Sequence, residues 1–205
     1  TVQSERWNGA TDEGFIYSFN GPQSLFIDIM MNVRLLFWAA ANGADSRVGE
    51  RAIEHARTSA RYLVRRAGEG LGEEDGSVAH EAIFNTEQGR GEFRCLSTQQ
   101  GYSPFTCWAR GLAWAIYGYA YAYGATGDET FLETAQLCAG YYLLNTPGDC
   151  VPYWDYGAPG IPDEPRDSSA AAIAGCGLLL LAELDSGAPG AGDYLRTALT
   201  IGATL

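Results

Sequence analysis

Asp28 is the residue of this sequence best placed to move a proton. It stands in the string FIDIMMN, near the start of an otherwise apolar run with helical periodicity, and Asn32 follows one turn on. A carboxyl group in such surroundings must be compensated or protonated. Two readings are open. One is a buried helix-start aspartate bonded to backbone amides; the other is a carboxyl group whose desolvation suits it to acid/base work. A second constellation, QGYSPFTCWARGLAW over residues 100–114, sets Trp108, Arg110 and Trp114 where another apolar segment begins, with Gln100 just upstream. An arginine beside the free amides of a helix start attracts a carboxylate, and indole faces suit the apolar face of a sugar ring. The plain alternative is that an aromatic-rich inner helix is simply core. Against it, an arginine in a mostly apolar segment needs an anionic partner.

The two histidines read differently. His80, in DGSVAH within a long connection, is a ligand candidate, whereas His55, in IEHARTSARYL beside Ala52, Ala56 and Ser59, reads as a packed structural residue. Neither an HExxH pattern nor an EF-hand spacing occurs, so no metal and no cofactor is expected. Arg166-Asp167-Ser168-Ser169 reads as a helix start with Asp167 as N-cap.

These residues must be positioned by helices of two alternating kinds. Leu25 to Ala41, Trp108 to Tyr123 and Ser168 to Leu184 are apolar nearly all round and belong inside. Segments near 46–66, 128–145 and 193–205 are amphipathic and belong outside. The outer segments carry a weak repeat: Val48, Ala52, Ala56; Phe131, Ala135, Ala139; Tyr194, Ala198, Gly202. Small residues four apart share a helix face and permit close approach. Ala44-Asp45, Gly127-Asp128 and Gly192-Asp193 supply stop-and-start signals before each outer helix. Between these hairpins lie long connections at 67–107 and 146–166, which would gather at the end where inner helices begin. Three such pairs make an arc, an all-α toroid of which the chain holds about half, with a large apolar surface exposed on one side.

Composition agrees with one globular domain over residues 1–205: 46% of residues are hydrophobic and 19% charged. A formal charge of −12 opposes broad binding to nucleic acid or to anionic membranes, and no apolar run is long enough to span a bilayer. Five scattered cysteines, odd in number and without a CxxC spacing, are expected to be mostly buried thiols, which favours a reducing, cytoplasmic setting.

Taken together, IDIMMN followed by LLFWAA (27–40), DGSVAH (75–80), QGYSPFTCWARGLAWAIYGYA (100–120), PYWDYGAP (152–159) and PRDSSAAAIAGCGLL (165–179) resemble the unsaturated glucuronyl hydrolases, glycoside hydrolase family 88. The strings run in order across nearly the whole chain. The resemblance implies an incomplete (α/α)6 barrel, truncated at both ends. It also implies a glycosidase that hydrates the double bond of an unsaturated uronic acid at the end of a short oligosaccharide. Asp28 then matches the general acid and base, and His80, Gln100, Trp108, Arg110 and Trp114 match substrate contacts. The resemblance places a second aspartate before residue 1, so residues 1–205 alone are expected to be inactive. Leu112 and Ile29 stand where relatives often carry Gln and Asn, which implies an effect on substrate choice. The nearest rivals are an unsaturated rhamnogalacturonyl hydrolase and a non-catalytic carbohydrate-binding toroid.

Overall fold

Alternating apolar and amphipathic segments fold into three helical hairpins. The computed structural model describes residues 2–9, 14–66, 75–86, 91–187 and 190–205. In chain order the elements are α1 (Val2–Glu5), β1 (Trp7–Asn8), β2 (Phe15–Ile16), β3 (Ser24–Phe26), α2 (Ile29–Ala41), α3 (Ser46–Leu63), β4 (Glu81–Asn85), β5 (Glu92–Ser97), α4 (Ala109–Thr126), α5 (Glu129–Asn145), α6 (Ser168–Leu184) and α7 (Ala191–Thr204). The inner helix α4 lies between α2 and α6, and α3, α5 and α7 each pack on the inner helix that precedes them. This is the arc of an incomplete α/α barrel.

Two expectations about its edges need correction. The first inner helix begins at Ile29, not Leu25, because Ser24–Phe26 pair antiparallel with β4. All three of those strand residues are buried, so no alternation betrayed them, and a short apolar run cannot be told from helix by period alone. The 67–107 connection likewise holds the β4–β5 hairpin, giving an antiparallel sheet in the order β3–β4–β5. Asp45 and Asp128 do cap their helices through the amides of Arg47 and Thr130. Asp193 does not, since α7 starts two residues earlier and its carboxylate pairs with Arg196.

Close helix approach occurs where the sequence repeat did not point. Ala52, Ala56, Ala135, Ala139 and Ala198 are buried as the outer repeat requires, but Gly202 is exposed. Among glycines within the helices, the tightest contacts lie between inner helices. A Cβ on Gly118 would sit 2.6 Å from the Met30 carbonyl oxygen, and one on Gly177 would sit 2.9 Å from the Tyr117 backbone nitrogen. Backbone cannot yield as a side chain can. Gly118→Ala is therefore expected to destabilise by about 1–2 kcal/mol, the overpacking cost less the helix-propensity gain. Gly140 in α5 has open space around its missing Cβ, so Gly140→Ala should stabilise by about 0.5–1 kcal/mol. Urea unfolding midpoints read both signs.

His55 is structural, as its helix position suggests. It is fully buried on α3, its Nδ1 accepts from the Ile16 amide at 3.1 Å, and Nε2 lies 3.3 Å from Ser59 Oγ. Burial pushes its pKa down from 6.5 to about 3. Below pH 6.5 the unfolded chain takes up a proton that the folded chain refuses until about pH 3. Stability should thus fall as pH drops, by about 2 kcal/mol between pH 7 and pH 5. Unfolding midpoints measured at the two pH values should converge in His55→Gln.

Of the five free cysteines only Cys107 and Cys138 are buried; Cys150 is half-buried, and Cys95 and Cys176 are exposed. The expectation that most are buried fails because β5 exposes its first four residues and α6 keeps an open face at Ala172, Cys176 and Leu179. On α2, Leu35 and Trp38 are 57% and 58% exposed, beside a groove of about 350 Å³ that also involves Tyr121. Inner helices of this arc therefore carry uncovered apolar surface. Among the described residues no helix is long and apolar enough to cross a membrane.

Candidate active site

The starts of α2, α4 and α6 are tied together by the two long connections. Ile27 N donates to His80 O, Ala109 N to Trp154 O, and Asp167 N to Pro152 O. Helix N-termini gathered in this way offer free amides and a positive dipole end to an anion.

Asp28 occupies the N-cap position of α2, yet its side chain caps nothing. Its Oδ1 accepts from Gln100 Nε2 at 3.4 Å, and its Oδ2 lies 3.2 Å from His80 Nε2. The second contact is not aligned as a hydrogen bond, and both of its atoms are shut away from solvent with no other hydrogen-bond partner among the described residues. The Asp28 side chain is 29% exposed, that of His80 only 1%. The simple capping reading therefore fails on geometry, and a carboxyl group open on one side and faced by two donors remains.

His80 is held from behind. Its Nδ1 accepts from the amides of Gln99 (2.9 Å) and Gln100 (3.3 Å) and lies 3.1 Å from Thr98 Oγ1. The ring stacks at a tilt against Phe26 and Trp108, with centroids 4.7 and 4.9 Å away. Trp108 in turn faces Arg110, whose Cζ is 5.3 Å from the indole. Arg110 donates through Nε and Nη2 to Asp167 Oδ2 at 3.3 and 3.0 Å, so the anionic partner demanded by its apolar segment is Asp167. Asp167 also caps α6 through the Ala170 amide and accepts from Ser169. Burial pushes the Asp167 carboxyl up, but Ser169, Ala170 and Arg110 outweigh it and hold it below the usual carboxylate range. Trp114 is half-buried one turn beyond Arg110, on the same face of α4. The sequence-predicted residues from Asp28 through Gln100, His80 and Trp108 to Arg110 thus form one run of contacts, with Trp114 joined through its helix.

Several supporting residues were missed in the sequence. Glu81 is fully buried and accepts from Ser24 Oγ (2.5 Å), Asn20 Nδ2 (3.1 Å) and Gln99 Nε2 (3.3 Å). Asp155 is equally buried; it accepts from Tyr102 N, Thr106 Oγ1 and Gly157 N, pinning the loop that leads into α4. The WDYG string could have suggested an Asp turn, and the polar pair His80-Glu81 a buried network. Leu112 is fully buried and Ile29 is 5% exposed, and both pack in the hydrophobic core. No three His, Cys, Asp or Glu side chains among the described residues stand close enough to hold a metal ion.

A partly open carboxyl and a partly exposed arginine thus stand at the helix starts of an α/α arc, with Trp108 buried between His80 and Arg110. Comparison with known proteins finds relatives that match nearly the whole of this chain. The chain is 36% identical over 210 residues to the unsaturated glucuronyl hydrolase of Bacillus sp. strain GL1, covering 97% of this chain and 52% of that protein. It superposes with TM-score 0.85 on the crystal structure of unsaturated glucuronyl hydrolase from Streptococcus agalactiae, at 31% identity, covering 99% of this chain and 50% of that one. A variant of that streptococcal enzyme complexed with dGlcA-GalNAc6S matches with TM-score 0.70 over 88% of this chain and 45% of that one, at 30% identity. No protein-family model matches. The chain is homologous to the unsaturated glucuronyl hydrolases, and it spans about half the length of the relatives it matches.

Proposed function

We propose that the full-length protein removes a 4,5-unsaturated uronic acid from the end of short glycosaminoglycan-type oligosaccharides, with Asp28 as acid and then base. The observation that carries this reading is Asp28 itself: an uncapped carboxyl at an inner helix start, open on one side and in contact run with Arg110. The terminal sugar of such a substrate is an enol ether. Protonation of carbon 4 by Asp28 leaves a cation at carbon 5 that the ring oxygen stabilises. The Asp28 carboxylate then takes a proton from the water that bonds to carbon 5, giving a hemiketal that opens and releases the remaining saccharide. One principal carboxyl group suffices, where ordinary glycosidases need two flanking the scissile bond. Arg110 holds the sugar by its carboxylate and the half-buried Trp114 one turn on offers an apolar face, while the buried Trp108 backs Arg110. The relative bound to dGlcA-GalNAc6S supports a substrate of this class.

The test is incubation of the full-length protein with unsaturated chondroitin and heparin disaccharides and with unsaturated rhamnogalacturonan, following loss of ultraviolet absorbance. Turnover of the glycosaminoglycan disaccharides is expected. Turnover of rhamnogalacturonan alone would shift the substrate class, and no turnover of any would overturn the enzyme reading. A cytoplasmic location is also proposed, supported by five free thiols, and cell fractionation reads it.

A further inference from the structure

We propose that the Thr98–Gln100 turn is a tautomer clamp: it fixes His80 as the Nε2–H imidazole and so makes it a positioning residue that acts on substrate only through Asp28. This rests on the acid/base reading of Asp28. The geometry behind it is independent of any ligand. Three donors converge on the Nδ1 lone pair: the Gln99 and Gln100 amides, and the Thr98 hydroxyl. Because the two backbone amides already donate to Nδ1, the Thr98 hydroxyl can only donate to the ring as well, and its oxygen accepts from Gly101 N at 2.8 Å. A hydrogen on Nδ1 would point at all three, so the ring hydrogen resides on Nε2. That hydrogen faces Asp28 Oδ2 across 3.2 Å.

Burial assigns the role. With its side chain 1% exposed, His80 offers a sugar no surface, and among the described residues Nε2 has no neighbour but Asp28 to donate to. The contact falls short of hydrogen-bond alignment at rest and would tighten when the Asp28 carboxyl gives up its proton and charge appears on the oxygen that faces Nε2. The clamp is itself braced. Gln99 Nε2 is anchored on the buried Glu81 carboxylate, and a Cβ on Gly101 would lie 2.8 Å from Thr98 Oγ1, so only glycine leaves that hydroxyl in place.

The test uses the full-length protein labelled with ¹⁵N-histidine, with the His80 ring signals assigned by their loss in His80→Gln. Two-bond ¹H–¹⁵N correlations should show His80 as the Nε2–H tautomer. Thr98→Val, which keeps shape but loses the hydroxyl, should shift the Nδ1 signal and lower kcat about tenfold with KM within about twofold, the size expected for one lost hydrogen bond. Thr98→Ser should restore both. Should Thr98→Val fail to fold, the histidine variants decide. Glutamine places an amide donor near Nε2 and asparagine does not, so His80→Gln should keep about tenfold more kcat than His80→Asn, with KM alike in the two. An Nδ1–H tautomer, an unmoved Nδ1 signal in Thr98→Val, or equal rates for the two histidine variants would overturn the clamp. If wild type turns over no unsaturated disaccharide, the proposed function falls while the ring signals still decide the tautomer.

Discussion

Asp28→Asn in the full-length protein is expected to lower kcat on an unsaturated glycosaminoglycan disaccharide by about 10²–10⁴-fold, the range for removing a positioned acid/base group. The fold should survive. The side chain is 29% exposed and caps no helix, so its replacement leaves no backbone amide unpaired. Both Asp28 oxygens face donors, Gln100 Nε2 on one side and His80 Nε2 on the other. Asparagine must therefore turn its NH₂ toward one of them, and it can neither deliver the proton to carbon 4 nor accept one from water. Circular dichroism and unfolding midpoints close to wild type would locate the loss in chemistry. Activity that survives Asp28→Asn intact would end the mechanism proposed here, and with it the positioning role of His80.

Much of this architecture was legible in the chain. Two of the inner helices were readable because WARGLAWAIYGYAYAY and SSAAAIAGCGLLLL bury too much apolar surface for any outer layer, and Asp45, Asp128 and Asp167 mark the starts of α3, α5 and α6 by side-chain chemistry alone. What was not legible depends on partners distant in sequence. LFI reads as helix until β4 supplies the pairing that makes Leu25 and Phe26 a strand. Gly118 and Gly177 matter only because Met30 and Tyr117 lie against them, and neighbours of that kind leave no local period. At the site, residue types that bind sugars and move protons stood out, but the direction of each side chain did not. His80 is a ligand candidate by type and loop position, and its burial behind Asp28 follows from the Thr98–Gln100 turn, which no spacing rule predicts. Leu112 shows the converse: a position one turn from Trp108 that proves to face the core.

For Arg110→Ala the expected result is a rise in KM of about 100-fold with kcat little changed. Loss of a forked pair of charge-assisted hydrogen bonds to the sugar carboxylate costs about 3 kcal/mol, and the guanidinium is on no proton path. Arg110→Lys should recover only part of this, because an ammonium keeps the charge but not the planar fork or its stacking on Trp108. Arg110 also has a structural duty that could imitate such a defect. Its removal leaves the Asp167 carboxylate, whose side chain is 6% exposed, with Ser169 and Ala170 alone among the described residues to hold it at the start of α6. Arg110→Ala should consequently lower stability as well, and Arg110→Ala/Asp167→Asn should regain part of that stability by removing the unpaired charge. The double variant should keep the high KM if Arg110 touches substrate. It should lose the KM defect if the arginine merely braces α6. A substrate whose uronate carboxylate is esterified separates the two readings without any unfolding measurement. Wild type and Arg110→Ala should bind the ester alike, and a persistent 100-fold gap on it would show that Arg110 does not read the carboxylate.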